Sequence, residues 1–292
     1  NSMKSDTLFP PSTSKLSLLA LFLTIFVDAS GVALVYPILT PIFANNELSL
    51  FSPLVSAEVR NLLYGVMLSL YPLMMFLFSP LLGMMSDKYG RRLILLFCLL
   101  GNLVGLILMG IGIYARSLTL IFLARIVTGI TAANLPVAQA AIIDISSEET
   151  KARNLSFITA ANSVGFVIGP IIAALLSQPI FGFTPSPSSP FYIASLLPLI
   201  ALTLLIFSFK DTSTRNRNLK INFFSTFQSL VRAFKHIGTR IPLLIFFFFL
   251  TGYYIFFSYL SIYSLLKFEY TQFMESLLLG YFCTVFGTSF LV

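Results

Sequence analysis

Gly83-Met84-Met85-Ser86-Asp87-Lys88-Tyr89-Gly90-Arg91-Arg92 is the densest run of charge and turn-forming residues in the chain, and it separates two long apolar runs, Asn61 to Leu82 and Leu93 to Tyr114. Either run is long enough to cross a bilayer, since about 20 helical residues cover about 30 Å of hydrocarbon. The stretch therefore reads as a short hairpin tip outside the membrane, carrying Lys88, Arg91 and Arg92. Gly83 is expected to end the first helix and to let a neighbour approach, and Gly90 to supply the left-handed backbone of a tight reversal. Asp87 has no local reason to be there, so it is expected to reach for a partner.

Composition points the same way. Hydrophobic residues make up 57% of the chain and charged residues 10%, a balance that no soluble domain of this length tolerates. A net charge of +7 would suggest nucleic acid as a partner of a soluble protein. Here the basic residues cluster in alternate connections, so the expected partner is the lipid bilayer and not nucleic acid. Cys98 and Cys283 both lie in apolar runs and read as small hydrophobes. One histidine, no Cys-x-x-Cys and no His-Glu-x-x-His leave no metal site and no cofactor to expect. No nucleophile–base spacing marks an enzyme.

Spans are predicted near 16–40, 61–82, 92–114, 118–145, 152–176, 190–209, 241–264 and 275–292. Lys15 ahead of an apolar run is also how a secretory leader begins, but hydrophobicity resumes from Val32 to Leu39 and completes a span. Lys4, Lys15, Lys88, Arg91, Arg92, Lys151, Arg153 and the basic residues of 210–240 fall on one side; Arg60, Arg116 and Lys267 fall on the other. The positive-inside rule then makes the N-terminus and the Gly83–Arg92 loop cytoplasmic. The expected fold is an all-α membrane bundle in four parts. These are a cytoplasmic tail (1–15), a six-helix transmembrane half (16–209), a cytoplasmic linker with an interfacial amphipathic helix (210–240) and the first two helices of a second half (241–292).

Two ionisable residues lie deep in these spans, Asp28 and Arg125. A charge at mid-bilayer costs several kcal/mol unless paired or hydrated, so each is a functional candidate. At about 1.5 Å per residue, Asp28 lies about 18 Å from the inner end of its helix and Arg125 about 10 Å from the outer end of its own. Similar depth lets them face each other across a cavity, either as a proton-handling site tuned by the arginine or as a purely structural ion pair. Thr128, Gly129, Pro136 and Gln139 share the polar face of the fourth span, which suits a water-filled cavity. The fifth span places Ala161, Gly165, Gly169 and Pro170 in a small-residue stripe on which another helix can lie closely, with Gly280, Thr284 and Thr288 of the eighth span as a mating face. Tyr253, Tyr254 and Tyr259 are candidates for lining a lipophilic path, packing being the alternative.

The pattern G-x-x-x-D-K-x-G-R-R resembles the loop between the second and third helices of the major facilitator superfamily. Arg125-x-x-x-Gly129 resembles that family's fourth-helix motif, and Asp28, Gly31 and Pro37 the first-helix motif of its drug/proton antiporter branch, the tetracycline-resistance type. Gly165, Gly169 and Pro170 resemble its antiporter motif, with Ala173-Ala174 standing where two glycines are usual. The resemblance implies two six-helix halves and secondary active transport by alternating access. It also implies proton-coupled efflux of small lipophilic or drug-like molecules by a monomer in the inner (cytoplasmic) membrane, with protons as the only coupling ion. Asp144 would pair with Arg91 and complete a gate cluster with Asp87. A sugar or organic-ion symporter of the same fold, or a non-transporting remnant or scaffold, is the alternative. The chain supplies the first half and two further spans, so it is not expected to transport alone.

Overall fold

The computed structural model describes residues 15–45, 50–176, 186–209, 234–268 and 270–289. The first apolar run forms one helix, α1 (Lys15–Ala44), continuous through Pro37 and Pro41. Next come α2 (Ala57–Tyr89) and α3 (Arg91–Tyr114), the two helices that flank the signature loop. The fourth span is two helices, α4 (Leu118–Ile130) and α5 (Asn134–Ile145), interrupted at Thr131–Ala133. After α6 (Glu148–Leu176), the sixth span also comes in two pieces, α7 (Ser189–Ala194) and α8 (Leu196–Ser208). Then follow α9 (Ile237–Phe268) and α10 (Gln272–Ser289). Ser56 caps α2 by accepting from Val59 N–H, and Ser117 caps α4 by accepting from Leu120 N–H. Most of the predicted interfacial helix in 210–240 lies outside the described residues.

The signature loop is shorter than its sequence suggests. The helix does not end at Gly83 but runs on to Tyr89, and the reversal is confined to Gly90 at φ 109°. A glycine in a helix costs about 1 kcal/mol relative to alanine, too little to stop a helix whose next turns are well bonded. Ser86 Oγ donates to Gly83 O at 2.7 Å, and Gly90 N–H donates to Ser86 O at 3.0 Å. Nothing packs within 4 Å of where a Gly83 side chain would begin, so the expected close approach is absent as well. Gly90, by contrast, holds a backbone conformation that side chains rarely adopt.

The small-residue stripe of α6 does receive a helix, but that helix is α1. A Cβ on Gly165 would stand 2.6 Å from Phe26 O, and one on Gly169 2.5 Å from Ser30 O. The Gly280 side of α10 lies instead on the neighbouring flank of α6, near Val167 and Ile171. Both helices therefore use α6, with the glycines committed to α1.

Two apolar clusters fill the bundle at different heights. One gathers Leu21 and Ile25 of α1, Leu95 and Leu99 of α3, and Val137 and Ala141 of α5 at the signature-loop end. The other gathers Ile38, Leu39 and Phe43 of α1, Leu106 and Met109 of α3, and Ile121 and Ala124 of α4 towards the opposite end. Between them each helix carries its polar and small residues: Asp28 and Gly31 on α1, Gly101 and Asn102 on α3, Arg125 and Thr128 on α4. A polar belt at mid-height is thus enclosed by apolar packing above and below.

Candidate functional site

Asp28 sits in this belt and accepts two hydrogen bonds on Oδ1, from Asn102 Nδ2 and Asn134 Nδ2, each at 3.0 Å. The backbone arranges this from three helices. Gly101 and Gly105 let α3 press onto α4, where a Cβ on either would fall within 2.2 Å of Thr131 Cγ2 or 2.1 Å of Thr128 Cγ2 respectively. That approach carries Asn102 inward to α1. Asn134 is the first residue of α5, so the break in the fourth span puts its side chain on the carboxylate. The amide oxygens of both asparagines are buried without a hydrogen-bond partner.

Arg125 is buried in α4, but it does not pair with Asp28. Among the described residues the ion pairs include Arg91–Asp87, Arg91–Asp144 and Lys151–Glu148. The Arg125 guanidinium lies 4.9 Å from the centroid of the Tyr71 ring, its Nη2 donates to Leu68 O at 3.5 Å, and its Nε has no partner. Gly129 admits α2 here, since a Cβ on it would meet Tyr71 O at 2.7 Å. An aromatic face and a carbonyl replace the expected carboxylate, because α1 turns Asp28 towards α3 and α5 while α4 turns Arg125 towards α2.

A small cavity lies beside both groups. Its wall is Gly31, Val32 and Val35 of α1, Tyr71 of α2, Asn102, Gly105, Leu106 and Met109 of α3, Arg125 and Thr128 of α4, and Phe191 of α7. Apolar side chains dominate the wall, with a few convergent polar groups among them. Asn102 belongs to the wall and also touches Asp28, so the carboxylate is one residue removed from the cavity. Gln139 is half-buried on α5 and takes no part in this wall. Tyr253, Tyr254 and Tyr259 take none either; Tyr253 packs near Tyr36 and Leu279, while Tyr254 and Tyr259 are exposed on α9.

At the signature loop, Arg91 Nη1 meets Asp87 Oδ1 at 2.5 Å and donates to Ser86 Oγ at 2.5 Å, and its Nε meets Asp144 Oδ2 at 3.1 Å. Asp87 and Asp144 thus share one guanidinium, which ties the end of α2 to the end of α5. Arg92 Nη2 donates to Ile206 O of α8 at 2.5 Å. Lys88 leans over the Tyr89 ring at 5.6 Å.

A second buried carboxylate escaped the sequence reading. Glu275 of α10 has no solvent exposure and accepts a short hydrogen bond from Ser261 Oγ of α9. Ser261 Oγ is 2.9 Å from Thr40 Oγ1 of α1, which is 2.7 Å from Tyr64 OH of α2. The signal was present, since Glu275 opens an apolar helix, but a charge at a helix start reads as interfacial. Asn102 and Asn134 were passed over because a neutral amide barely lowers the hydropathy of an apolar run.

Seven helical segments among the described residues are long and apolar enough to cross a membrane, from Leu16–Ala44 to Gly238–Phe268. Arranged about a polar belt, they make this a multi-pass membrane protein. The Major Facilitator Superfamily model matches residues 21–292, and the chain belongs to that family, a family of carriers rather than enzymes. The chain is similar to the class H tetracycline resistance protein of Pasteurella multocida, 33% identical over 199 residues that cover 68% of this chain and 46% of that protein. Against the class B protein of Escherichia coli it is 32% identical, over 68% of this chain and 45% of the relative. Multidrug resistance protein 1 of Bacillus subtilis is 29% identical over 70% of the chain and 48% of its own length. The chain thus spans just under half the length of these relatives. Among solved structures, the human organic anion transporter MFSD10 superposes with a TM-score of 0.67 at 19% identity, covering 96% of this chain and 71% of that one. A D-xylose–proton symporter superposes at 0.62 and 15% identity, covering 95% and 67%, so both share the fold.

Proposed function

We propose that this chain belongs to a secondary active transporter that exports small lipophilic, drug-like molecules in exchange for protons by alternating access. Asp28 is the proton site. The observation that carries this reading is a mid-membrane carboxylate held by Asn102 and Asn134 at 3.0 Å each, one residue from a cavity that Arg125 lines. Two neutral amides hold the carboxylate without neutralising it, so its charge remains free to change; a direct arginine partner would resist that change. The relatives named for tetracycline and multidrug resistance support the cargo class and the outward direction.

Arg125, part of the cavity wall, acts on the cargo. Arg91, Asp87 and Asp144 hold the cytoplasmic ends of α2, α3 and α5 together as one unit that moves in the cycle, with Gly83, Lys88, Gly90 and Arg92 completing the loop. Gly165, Gly169 and Pro170 keep α6 and α1 moving as a pair. The N-terminus and this loop face the cytoplasm of the inner membrane by the positive-inside rule, and the unit works as a monomer without a cofactor.

The test is tetracycline efflux from cells expressing the chain together with whatever coding sequence follows Val292, with an imposed proton gradient. Asp28→Asn is expected to reduce gradient-driven efflux to background. Undiminished proton-driven efflux by that variant sinks the assignment. This chain by itself is expected to give no transport.

A further inference from the structure

Asn102 occupies a position that neither the carboxylate nor the cavity alone explains. Its Nδ2 is committed to Asp28 at 3.0 Å, its Oδ1 is buried without a partner, and the same side chain forms part of the cavity wall. Only 6% of the residue is exposed. Beside it is Gly31, where an added Cβ would lie 3.5 Å from Oδ1 and 3.7 Å from Nδ2. Even an alanine there would only touch the amide at ordinary van der Waals distance, so α1 does not crowd it.

A carboxylate only accepts hydrogen bonds, whereas a carboxylic acid also donates one. An ionised Asp28 thus requires the amide nitrogen of Asn102 to face it, as observed. Once Asp28 binds a proton from water, its new O–H seeks an acceptor, and the orphaned Oδ1 of Asn102 is one rotation of the amide away. Asn134 Oδ1 is buried without a partner too, but Asn134 lies outside the cavity wall, so its turning would not change what the cavity meets.

We propose that Asn102 is the positioning residue that couples the cavity to Asp28: its side-chain amide turns over when Asp28 gains a proton and reverses the hydrogen-bonding character that the cavity meets. With Asp28 ionised, the unbonded atom of Asn102 is its oxygen, which suits a cargo that reaches it with an N–H or O–H. With Asp28 neutral, Asn102 shows an N–H and favours an acceptor. A bound donor holds the amide in the first orientation and so resists protonation of Asp28; in this way cargo and proton exclude one another without touching.

The ionisable side chains that the Asp28 charge reaches are Tyr71 of α2 and Cys98 of α3, and Arg125 of α4 stands beyond Tyr71. α6 has no ionisable residue after Arg153, and α8 has none. This inference rests on Asp28 being the proton site.

The experiment is infrared difference spectroscopy, low pH minus high pH, on the protein in lipid nanodiscs with isotope-labelled asparagine. The expected result is a carboxyl band that Asp28→Asn removes, accompanied by a side-chain amide band that shifts with the label and is lost in Asn102→Leu. Asn102→Thr serves as the second variant should the leucine protein not fold. An Asp28 band with no Asn102 component overturns the amide relay and leaves the proton site standing. Absence of any Asp28 band overturns the proton site, and the relay with it.

Discussion

Two carboxylates are buried in this bundle, and their surroundings differ in kind. Asp28 is held by two amides whose own oxygens are unsatisfied, and a cavity wall begins at the next residue. Glu275 ends a chain of hydroxyls, Tyr64 to Thr40 to Ser261, with no solvent exposure. Asp28 joins α1 to α3 and α5, helices already packed through large apolar clusters. Glu275 stands where α9 and α10 meet α1 and α2, a seam with much less apolar packing around it. Incomplete satisfaction beside open space suits a group that changes state. A carboxylate without solvent exposure at the end of a hydroxyl chain that runs through three other helical side chains suits a group that holds helices together.

The contrast breaks most visibly through paired replacements. Asp28→Asn removes a charge that the fold does not need, so we expect gradient-driven transport to fall at least 100-fold, about 3 kcal/mol or more at the rate-limiting step, while thermal stability is unchanged or higher. Glu275→Leu should do the reverse. It strands a buried hydroxyl chain at a cost of about 1–3 kcal/mol, seen as a lower melting temperature, and transport per folded molecule is retained. If Asp28→Asn unfolds the protein and Glu275→Leu abolishes only coupling, the roles are exchanged.

A narrower cut separates the seam from its carboxylate. Thr40→Val keeps the shape of α1 but removes the atom that joins Tyr64 to Ser261. The expected loss is about 1 kcal/mol, because hydrogen bonds between helices in membranes average less than those in water suggest. Cysteine cross-linking between α1 and α9 should then report a looser seam, whereas the contact of α1 with α6 through Gly165 and Gly169 stays as close as before.

Much of this arrangement is legible in the sequence, and the reason lies in which residues carry large local penalties. The apolar runs announce the spans, and Asp28 and Arg125 announce themselves because a charge in hydrocarbon is costly. Gly90 was readable because a reversal within one residue needs its backbone. Gly165 and Gly169 were readable as a close contact, but the partner was not, since either α1 or α10 satisfies the same spacing. Partner choice depends on how each helix is rotated about its axis, and that is fixed by packing summed over the bundle. The same ignorance set Asp28 opposite Arg125, where the structure places asparagines and a tyrosine ring. Gly83 misled because a glycine at a helix end and one within a helix look alike until the bonds of Ser86 are known.

The smallest effect probes the other member of the expected pair. Arg125 leans on Tyr71, and a cation over an aromatic face is worth about 0.5–2 kcal/mol depending on how dry it is. Tyr71→Leu keeps an apolar wall but removes the ring's negative face, leaving Arg125 with Leu68 O at 3.5 Å as its remaining partner. The guanidinium should then turn into the cavity that it already lines. A modest stability loss, about 1 kcal/mol by thermal unfolding, is expected together with altered affinity for the cargo. The response to Asp28→Asn should be the same in this background as in the parent, since Arg125 and Asp28 share no hydrogen bond or ion pair. Strong non-additivity between Tyr71→Leu and Asp28→Asn would mean that the arginine reaches the carboxylate in another state of the cycle, and the separation drawn between the two groups would hold only for the conformation described.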